Sequence, residues 1–338
     1  MYYISVILFF VFKIRPKKEH IRRLGNSLSK RGYMSLYEHM IHLYDKDIDL
    51  YSQKSCLTAK FTGTGYGGIN MNSYRILEFK ENTLFEKIYF KSWVDDIIIF
   101  TKEVLPEVLT QGINTPKLIE SKEGENFFIT YFEYLELEPL NHTNFLNEAT
   151  DIAASIANVK LDPAIEFPDG RLHYHKSSFK GKLDNLKKEL TPYMSDISNF
   201  LNTVDDYINK NVRKTLNHGD LSERNAFKNG KVIDWDNFGL YPLGYDFGKT
   251  IGMSEIYKKN ELSLQDYLKI EDMIFKKVEN LLTRELLEIS LPYFTVIFLR
   301  HYRVRSRYND INSISRELLE LLKNRLAKLS KVGSHDSL

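Results

Sequence analysis

The chain has 338 residues, of which 43% are hydrophobic, 27% charged and 13% aromatic. This length suffices for about two domains, and the apolar fraction suffices for a packed core, which excludes disordered, collagen-like and low-complexity proteins. The single cysteine, Cys56, excludes a disulfide framework or a multi-cysteine metal site and fits a reducing compartment. Because 47 Lys and Arg residues nearly balance 45 Asp and Glu residues, the formal charge of +2 does not indicate nucleic-acid binding. Composition therefore predicts a globular cytoplasmic protein.

An apolar run followed by a basic run opens the chain. Residues 2–12 carry no charge, and six lysines and arginines follow before residue 24. Eleven residues are too few for a membrane-spanning helix, which needs about 20, and a secretory signal would carry its basic residues before the apolar run. Two interpretations stay open: a segment packed on the protein body, or a peripheral anchor through residues 1–23 at the inner face of a membrane.

The rest of the chain predicts two lobes of different composition. Residues 56–139 contain five β-type runs with one helical segment after the third, and they predict a small antiparallel lobe. Pro106 in that helical segment predicts a kink or a break. Residues 140–330 carry mostly helical apolar spacing around a short β-type island and predict a larger helical lobe. Residues 1–55 are a basic, helix-prone extension, and residues 331–338 are expected to form a frayed tail.

The β-type island carries the strongest chemical signal. It contains the run HGDLSERN, from His218 to Asn225, followed by a short apolar strand and Asp234. Phosphoryl transfer needs a carboxylate beside the attacking hydroxyl and oxygen ligands that hold Mg²⁺ against nucleotide phosphates. Asp220 and Asn225, five apart on one tight loop, can face one cavity as base and metal ligand, and Asp234 can reach the same metal. The alternative, a turn and an exposed strand end, leaves the order Asp, Asn, Asp unexplained.

This loop resembles that of the aminoglycoside phosphotransferase and choline kinase superfamily, whose members carry H-G-D-x-x-x-x-N where protein kinases carry H-R-D-x-x-x-x-N. The resemblance covers roughly residues 57–308 and implies an α+β, bilobal protein-kinase-like fold, with a small β-rich N-lobe and a larger, mostly helical C-lobe. It implies ATP and Mg²⁺ as cofactors, Asp220 as the catalytic base, and Asn225 and Asp234 as magnesium ligands. It also implies three supporting residues, the last as a tie between the loop and the helices: His218, Asp236 and Asp246.

The smaller lobe is then expected to bind the nucleotide. Gly67 and Gly68 lie between the first two predicted strands, where glycine lets backbone amides approach phosphate. A glycine cluster is also typical of a simple hairpin. Glu133 and Tyr134 match the hinge position of the family, whose backbone groups would hydrogen-bond adenine.

A lysine on the third predicted strand is the candidate for the nucleotide phosphates. Lys87 is flanked by apolar residues, and Lys91 on the same face of the strand is the competing candidate. The spacing of sixteen residues favours Glu103 as the carboxylate that pairs with Lys87, with Glu107 as the alternative one helical turn later.

The acceptor is the least determined part of the prediction. Residues 291–308 form a helical segment with five aromatic residues, four arginines and no acidic residue. Aromatic residues at helical spacing favour a core over a cage for an ammonium group, and arginines that lined a pocket would suit a neutral or anionic acceptor. We therefore expect transfer of the γ-phosphate of ATP to a hydroxyl of a small molecule, with sugars or glycans ahead of choline or ethanolamine and aminoglycosides third.

Two other classes fit the sequence less well. A protein kinase is disfavoured because HGD replaces HRD, DWD replaces DFG and no A-P-E segment follows. A pseudokinase that only binds nucleotide is disfavoured because the set of candidate catalytic residues is complete.

Overall fold

The computed structural model describes residues 58–64, 72–90, 95–140, 145–165, 177–191, 195–254, 263–306 and 313–332. Gly67, Gly68, Lys91 and the opening extension lie outside the described residues. By their contacts, the described residues divide into two compact units. The first contains the residues up to Thr101 and Pro116–Glu136, and the second contains Lys102–Thr115 and the residues from Leu137 onward.

The first unit is built on an antiparallel sheet of five strands in the order β1-β2-β3-β5-β4. The strands are β1 (Thr58–Thr64), β2 (Asn72–Glu78), β3 (Thr83–Phe90), β4 (Leu118–Glu123) and β5 (Phe127–Glu133). Alternating apolar residues rich in aromatic and β-branched side chains favour such strands. The prediction of five strands is confirmed.

A charged pair lies inside this sheet unit. Arg75 on β2 and Glu86 on β3 face each other in the strand register and are almost completely buried. The Arg75 Nη2 donates to Glu86 Oε2 at 2.8 Å, and its Nε donates to Oε1. Because an unpaired buried charge costs several kcal/mol, on the order of 3–5 when one partner of a pair is removed, the two side chains depend on each other. Since side chains alternate along a strand, Lys87 lies on the opposite face.

The helical segment after β3 is irregular at its centre. It consists of α1 (Asp95–Ile99), a π-turn (Phe100–Val104) and α2 (Leu105–Thr110). Pro106 lies in the first turn of α2 and has no N–H to donate to the preceding turn. The hydroxyl of Thr101 donates to the carbonyl of Ile97 at 2.7 Å, which competes with the regular helical ladder. The π-turn ends two residues before Pro106, and a kink or break at Pro106 itself stays a prediction.

The second unit is mostly helical. Its main helices are α3 (Phe145–Ala157), α4 (Ser177–Leu190), α5 (Ile197–Asn211), α6 (Tyr245–Met253), α7 (Leu264–Val278), α8 (Arg284–Ser306) and α9 (Ser313–Val332). Two small antiparallel pairs lie between α5 and α6: β6 (Lys214–Asn217) with β9 (Gly239–Pro242), and β7 (Ala226–Phe227) with β8 (Lys231–Val232). In the described parts of the chain, no helix has the length and apolarity needed to cross a membrane.

Helix α8 is the centre of this unit and contacts α4, α5, α6, α7 and α9. Two glycines of α6, four residues apart, lie against it. A Cβ on Gly248 would lie 2.8 Å from the backbone nitrogen of Thr295, and a Cβ on Gly252 would lie 2.8 Å from that of Leu299. Because backbone atoms cannot move aside as a flexible side chain can, only glycine permits this spacing. The contact fixes α6, which carries residues of the candidate site.

Candidate active site

The loop between β6 and β7 adopts a backbone that requires glycine at its second position. Gly219 has φ +76°, and a Cβ at this position would lie 1.8 Å from the carbonyl oxygen of Asn237. An arginine, which protein kinases carry in the corresponding motif, does not fit this backbone. The H-G-D sequence is therefore a steric requirement of this loop.

Helix α6 holds the loop through a carboxylate in its first turn. Asp246 accepts hydrogen bonds from the backbone N–H groups of His218 at 2.6 Å and Gly219 at 2.9 Å. Its own N–H donates to the Asn217 side chain at 3.2 Å. Burial raises the pKa of Asp246 to about 6, against the opposing effects of Lys249 and of the two N–H donors. Asp246 thus ties the start of α6 to the loop.

His218 is held as a neutral ring inside the unit. Its Nε2 lies 2.9 Å from the carbonyl oxygen of Ile233, and its Nδ1 accepts from the N–H of Asp220 at 3.2 Å. These partners assign the proton to Nε2, because Nδ1 must be an acceptor. Burial lowers the pKa of His218 to about 4, so the ring is uncharged at neutral pH. The ring also packs on Trp235, whose Nε1 donates to Thr115 Oγ1 at 2.9 Å.

Asp220 and Asn225 lie in contact on the loop. Asn225 Nδ2 donates to the backbone carbonyl of Asp220 at 2.8 Å and reaches its Oδ2 at 3.3 Å. The other carboxylate oxygen of Asp220, Oδ1, lies 2.6 Å from Nζ of Lys249 on α6. The Asp220 side chain is 32% exposed, whereas the Lys249 side chain is 7% exposed. The carboxylate is therefore fixed by buried partners and reachable from solvent.

Asp234 follows β8, and the residue before it is hydrogen-bonded to the same loop. The N–H of Ile233 donates to the backbone carbonyl of Asn225 at 3.0 Å. Asp234 has φ +66°, a left-handed conformation that non-glycine residues adopt rarely and that concentrates at functional sites. Asp236 lies two residues later, in a 3₁₀ turn over Trp235–Asn237, and is half-buried.

Asn225 on this loop and Asp234 after β8 carry oxygen atoms of the kind that binds magnesium. No three His, Cys, Asp or Glu side chains form a metal-binding group among the described residues. Mg²⁺, however, is usually held by one or two carboxylates and completed by waters and substrate phosphates. Asn225 uses its Nδ2 for both hydrogen bonds to Asp220, which assigns its Oδ1 as an acceptor, and Asp234 supplies a carboxylate. An amide oxygen and a carboxylate are ligand types that magnesium takes beside a nucleotide, and their joint binding of one ion stays a prediction.

The candidate phosphate-binding lysine lies in the first unit. Lys87 is buried on β3, with its Nζ 5.1 Å from the ring centroid of Tyr74 and 5.6 Å from that of Tyr89. Glu103 is exposed in the π-turn, and Glu107 is half-buried in α2; both belong to the second unit. The ion pair between Lys87 and a carboxylate of this segment stays a prediction.

The hinge candidates end strand β5. The N–H of Glu133 donates to the carbonyl of Lys117 at 3.0 Å, and its side chain accepts from the N–H of Lys117 at 2.9 Å. The N–H of Tyr134, whose side chain is exposed, donates to the carbonyl of Thr83 at 3.3 Å. Both amides thus already donate within the first unit, and adenine binding at this position stays a prediction.

The aromatic residues of α8 form core. Tyr293, Phe294 and Phe298 are at most 1% exposed, and Tyr245 packs edge-on against both phenylalanines. The Tyr293 hydroxyl donates to Asp205 Oδ1. The interpretation of these three aromatic residues as core is confirmed, whereas the side chains of Tyr302 and Tyr308 lie outside the description.

Lys249 is the main residue that the sequence interpretation missed. The fragment YDFGK places it three residues after Asp246, hence on the same side of a helix. Its ammonium group also donates to the carbonyl of Gly219. The spacing of these two charged residues was a usable signal, because a tie from Asp246 to the loop brings the next turn of the helix to the loop as well.

Comparisons with known proteins show the family and the fold of the chain. The model of the phosphotransferase enzyme family matches residues 67–268, more than half of the chain. No curated protein matches the chain. Among solved structures, an ethanolamine kinase from Plasmodium vivax is 14% identical, with 92% of this chain and 94% of that chain covered and a TM-score of 0.52.

Two other structures are similar at lower scores. A choline kinase from Cryptosporidium parvum is 13% identical, with 89% of this chain and 97% of that chain covered and a TM-score of 0.47. An aminoglycoside phosphotransferase from Streptomyces rimosus is 13% identical, with 77% and 98% covered and a TM-score of 0.45. The similarity to the Plasmodium structure shows the fold, so the predicted α+β, protein-kinase-like fold is confirmed.

Proposed function

Because the chain belongs to the phosphotransferase enzyme family and is a small-molecule kinase, we propose that it transfers the γ-phosphate of ATP to a hydroxyl group of a small molecule, with Mg²⁺ as cofactor. One observation carries this proposal. Asp220 is a partly exposed carboxylate whose two oxygens contact Lys249 and Asn225, on a loop that buried groups hold in place. An aspartate that accepts the acceptor proton needs this combination of access and fixed orientation.

In the proposed reaction, Asp220 takes the proton of the acceptor hydroxyl as the hydroxyl oxygen attacks the γ-phosphorus. The bond between that phosphorus and the bridging oxygen of ADP breaks, and ADP leaves with the electron pair. We assign Lys87 to the nucleotide phosphates, supported by its buried place on β3. Mg²⁺, held by Asn225 and Asp234, would neutralise charge on the phosphates.

We assign two sets of residues beside these. Glu103 would pair with Lys87, and Gly67, Gly68, Glu133 and Tyr134 would contact the nucleotide through their backbone. His218, Asp236 and Asp246 would support the loop.

For the acceptor, we place sugars or glycans ahead of choline and ethanolamine, with aminoglycosides third. A cage for an ammonium group needs aromatic faces open to the ligand, and the described aromatic side chains of α8 are buried in the core. The alternative of a nucleotide-binding pseudokinase would require binding without turnover.

The experiment that tests the proposal compares Asp220→Asn with Asp206→Asn, the same chemical change at an exposed position on α5. Both full-length variants are assayed for Mg²⁺-dependent ATP turnover with a panel of hydroxyl compounds. Since a general base contributes roughly 10²–10⁴ in rate, Asp220→Asn is expected to lose turnover by that factor while still binding ADP. Turnover unchanged in Asp220→Asn would overturn the assignment, and Asp206→Asn is expected to match the unmodified chain.

We also propose a cytoplasmic location with peripheral contact at the inner face of the membrane through residues 1–23. The order of an apolar run and a basic run supports this contact. Flotation with vesicles that contain phosphatidylglycerol is expected to recover the full chain, and less of a chain that starts at residue 24. Equal recovery of the two would contradict the contact.

A further inference from the structure

A buried lysine on α6 contacts the loop that carries the candidate base. The Lys249 side chain is 7% exposed, and its Nζ lies 2.6 Å from Asp220 Oδ1 and donates to the carbonyl of Gly219. Asp246, three residues earlier on the same helix, accepts from the N–H groups of His218 and Gly219. Helix α6 therefore holds this turn of the loop by two N–H groups, by a carbonyl and by the carboxylate of Asp220.

Burial fixes the position of the Lys249 ammonium group. The ring of Phe298, buried on α8, has its centroid 5.6 Å from the same Nζ, within the range of a cation–π interaction. An exposed ion pair contributes little, because two long side chains must be ordered to form it. Lys249 instead contacts the ring, the Gly219 carbonyl and the carboxylate together, with little exposure to solvent. Asp220 thus pairs with a charge whose position is already determined.

The two oxygens of the Asp220 carboxylate are not equivalent. Oδ1 lies 2.6 Å from the Lys249 ammonium group, the distance of a short, charge-assisted hydrogen bond. Oδ2 has a longer contact, 3.3 Å, with Nδ2 of Asn225, and that nitrogen makes its shorter hydrogen bond, 2.8 Å, to the backbone carbonyl of Asp220. Oδ2 is therefore the oxygen with more of its hydrogen-bonding capacity left for an acceptor hydroxyl.

We propose that Lys249 is a positioning residue, which holds Oδ1 of Asp220 so that Oδ2 receives the proton of the acceptor hydroxyl. In this step the O–H bond of the acceptor breaks, its proton moves to Oδ2, and the electron pair stays on the oxygen that attacks the γ-phosphorus. Lys249 acts through Asp220 and takes no proton itself. This proposal rests on the proposed kinase function and adds to it a residue outside the H-G-D-x-x-x-x-N motif.

The test replaces Lys249 by methionine in the full chain, which removes the charge and keeps a side chain of similar length. It measures kcat, the KM for ATP and the Kd for ADP with Mg²⁺. The acceptor is whichever of glucose, choline, ethanolamine and kanamycin the unmodified chain phosphorylates fastest, or water if none reacts faster. Because a misplacement of about 1 Å can cost about 100-fold in rate, kcat is expected to fall by roughly 10- to 100-fold, while the KM and the Kd stay within about twofold.

Lys277→Met is the matched control. Lys277, on α7, is also largely buried, with its side chain 17% exposed, and its Nζ lies 2.7 Å from Oδ1 of Asp151 on α3. The control therefore removes an ion pair of similar length and burial that does not involve the candidate base. It is expected to keep the kcat of the unmodified chain, whatever it costs in Tm.

A double-mutant cycle separates positioning from a structural role. If Lys249 acts through Asp220, Lys249→Met should change the residual turnover of Asp220→Asn by less than about twofold, because the group that it positions is already lost. A residue that only stabilised the fold would lower turnover by the same factor in both backgrounds. The cycle is repeated with Lys249→Arg, which keeps the charge but places its donors in a planar fork and is expected to lower turnover only where Asp220 is present. This second cycle decides the question if Lys249→Met does not fold.

The outcomes separate this inference from the proposed function. If Asp220→Asn loses turnover while the Lys249 variants keep the kcat of the unmodified chain, the kinase function stands and the positioning role is refuted. Equal losses in the two backgrounds, or an equal loss of kcat in Lys277→Met, would refute it as well. If the unmodified chain shows no Mg²⁺-dependent turnover, or if Asp220→Asn keeps full turnover, the kinase mechanism itself fails, and the inference fails with it.

Discussion

At the scale of single residues, substitution of Gly219 separates the cost of a steric clash from the cost of a strained backbone. Gly219→Ala is expected to destabilise the protein far more than Gly230→Ala, although both glycines have positive φ. A Cβ at Gly230 meets nothing within 4 Å, so alanine there costs only the left-handed conformation, about 1–2 kcal/mol. A Cβ at Gly219 would collide with the carbonyl of Asn237. Urea unfolding and ATP turnover measure the two effects, and similar losses in both variants would contradict the steric explanation.

The contributions of Asp246 and His218 to the free energy of unfolding change with pH in opposite directions. Burial raises the pKa of Asp246 to about 6, so the folded state keeps a proton that the unfolded state loses near pH 4. The contribution of Asp246 to the free energy of unfolding therefore falls as the pH rises from about 4 to about 6. Burial lowers the pKa of His218 to about 4, so the unfolded state binds the extra proton and the contribution of His218 rises between pH 4 and pH 6.5. The two contributions oppose each other in the unmodified chain.

His218→Gln is expected to remove one of these two opposing contributions. The variant keeps Asp246 and loses the histidine, so its stability should fall more steeply than that of the unmodified chain as the pH rises from 4 to 6. At about 1.4 kcal/mol for each pKa unit, the stability difference between the two proteins should widen by up to about 3 kcal/mol by pH 6.5. Urea unfolding at half-unit pH steps measures it. A difference that does not change with pH would contradict the lowered pKa of His218.

The contact between Asp220 and Asn225 was predictable from sequence because it is local. Asp220, Asn225 and Asp234 lie within fifteen residues, and their roles as base and metal ligands stay predictions. Lys249 contacts Asp220 from another helix, and the sequence does not state which elements pack together. The same reason explains why the Arg75–Glu86 pair was missed, since it depends on the register between two strands.

At the scale of elements, the contact between α6 and α8 depends on glycine. Gly248→Ala is expected to cost about 1–3 kcal/mol, because a Cβ would press on the backbone of Thr295 and outweigh the gain in helix propensity. Gly181→Ala on α4 is the matched control, since a Cβ there meets nothing within 4 Å. That control should stabilise the protein by up to about 1 kcal/mol. Thermal unfolding of both variants distinguishes them, and a stabilised Gly248→Ala would refute the close approach.

Strand positions were predictable where the alternation is strong. The run TLFEKIYF, chosen from its pattern, coincides with β3. Helix ends were less determined, because α9 continues to Val332 and includes the first two residues of the predicted tail. A helix end depends on capping and on tertiary packing as well as on the local pattern.

At the scale of the whole molecule, bound nucleotide should stabilise the fold by mass action. A nucleotide at 100 times its Kd adds about 2.7 kcal/mol to the free energy of unfolding. We expect Mg²⁺ and ADP together to raise the Tm more than ADP with a chelator does. Asp234→Asn should abolish most of this magnesium-dependent difference while ADP alone still raises the Tm. If the Tm difference between ADP with Mg²⁺ and ADP with a chelator were as large in the variant, Asp234 would not be a magnesium ligand.

The π-turn at Phe100–Val104 changes the angular spacing of side chains around this helix. A π-turn is equivalent to an α-helix with one extra residue, and each residue of a regular helix accounts for a rotation of about 100°. Glu103 lies in the π-turn and Glu107 in α2, so the angle between them around the helix axis differs from that of a regular helix. Deleting one residue from the turn is expected to restore regular α-helical spacing at this place, so the extra residue sets the angle between Glu103 and Glu107 around the helix axis.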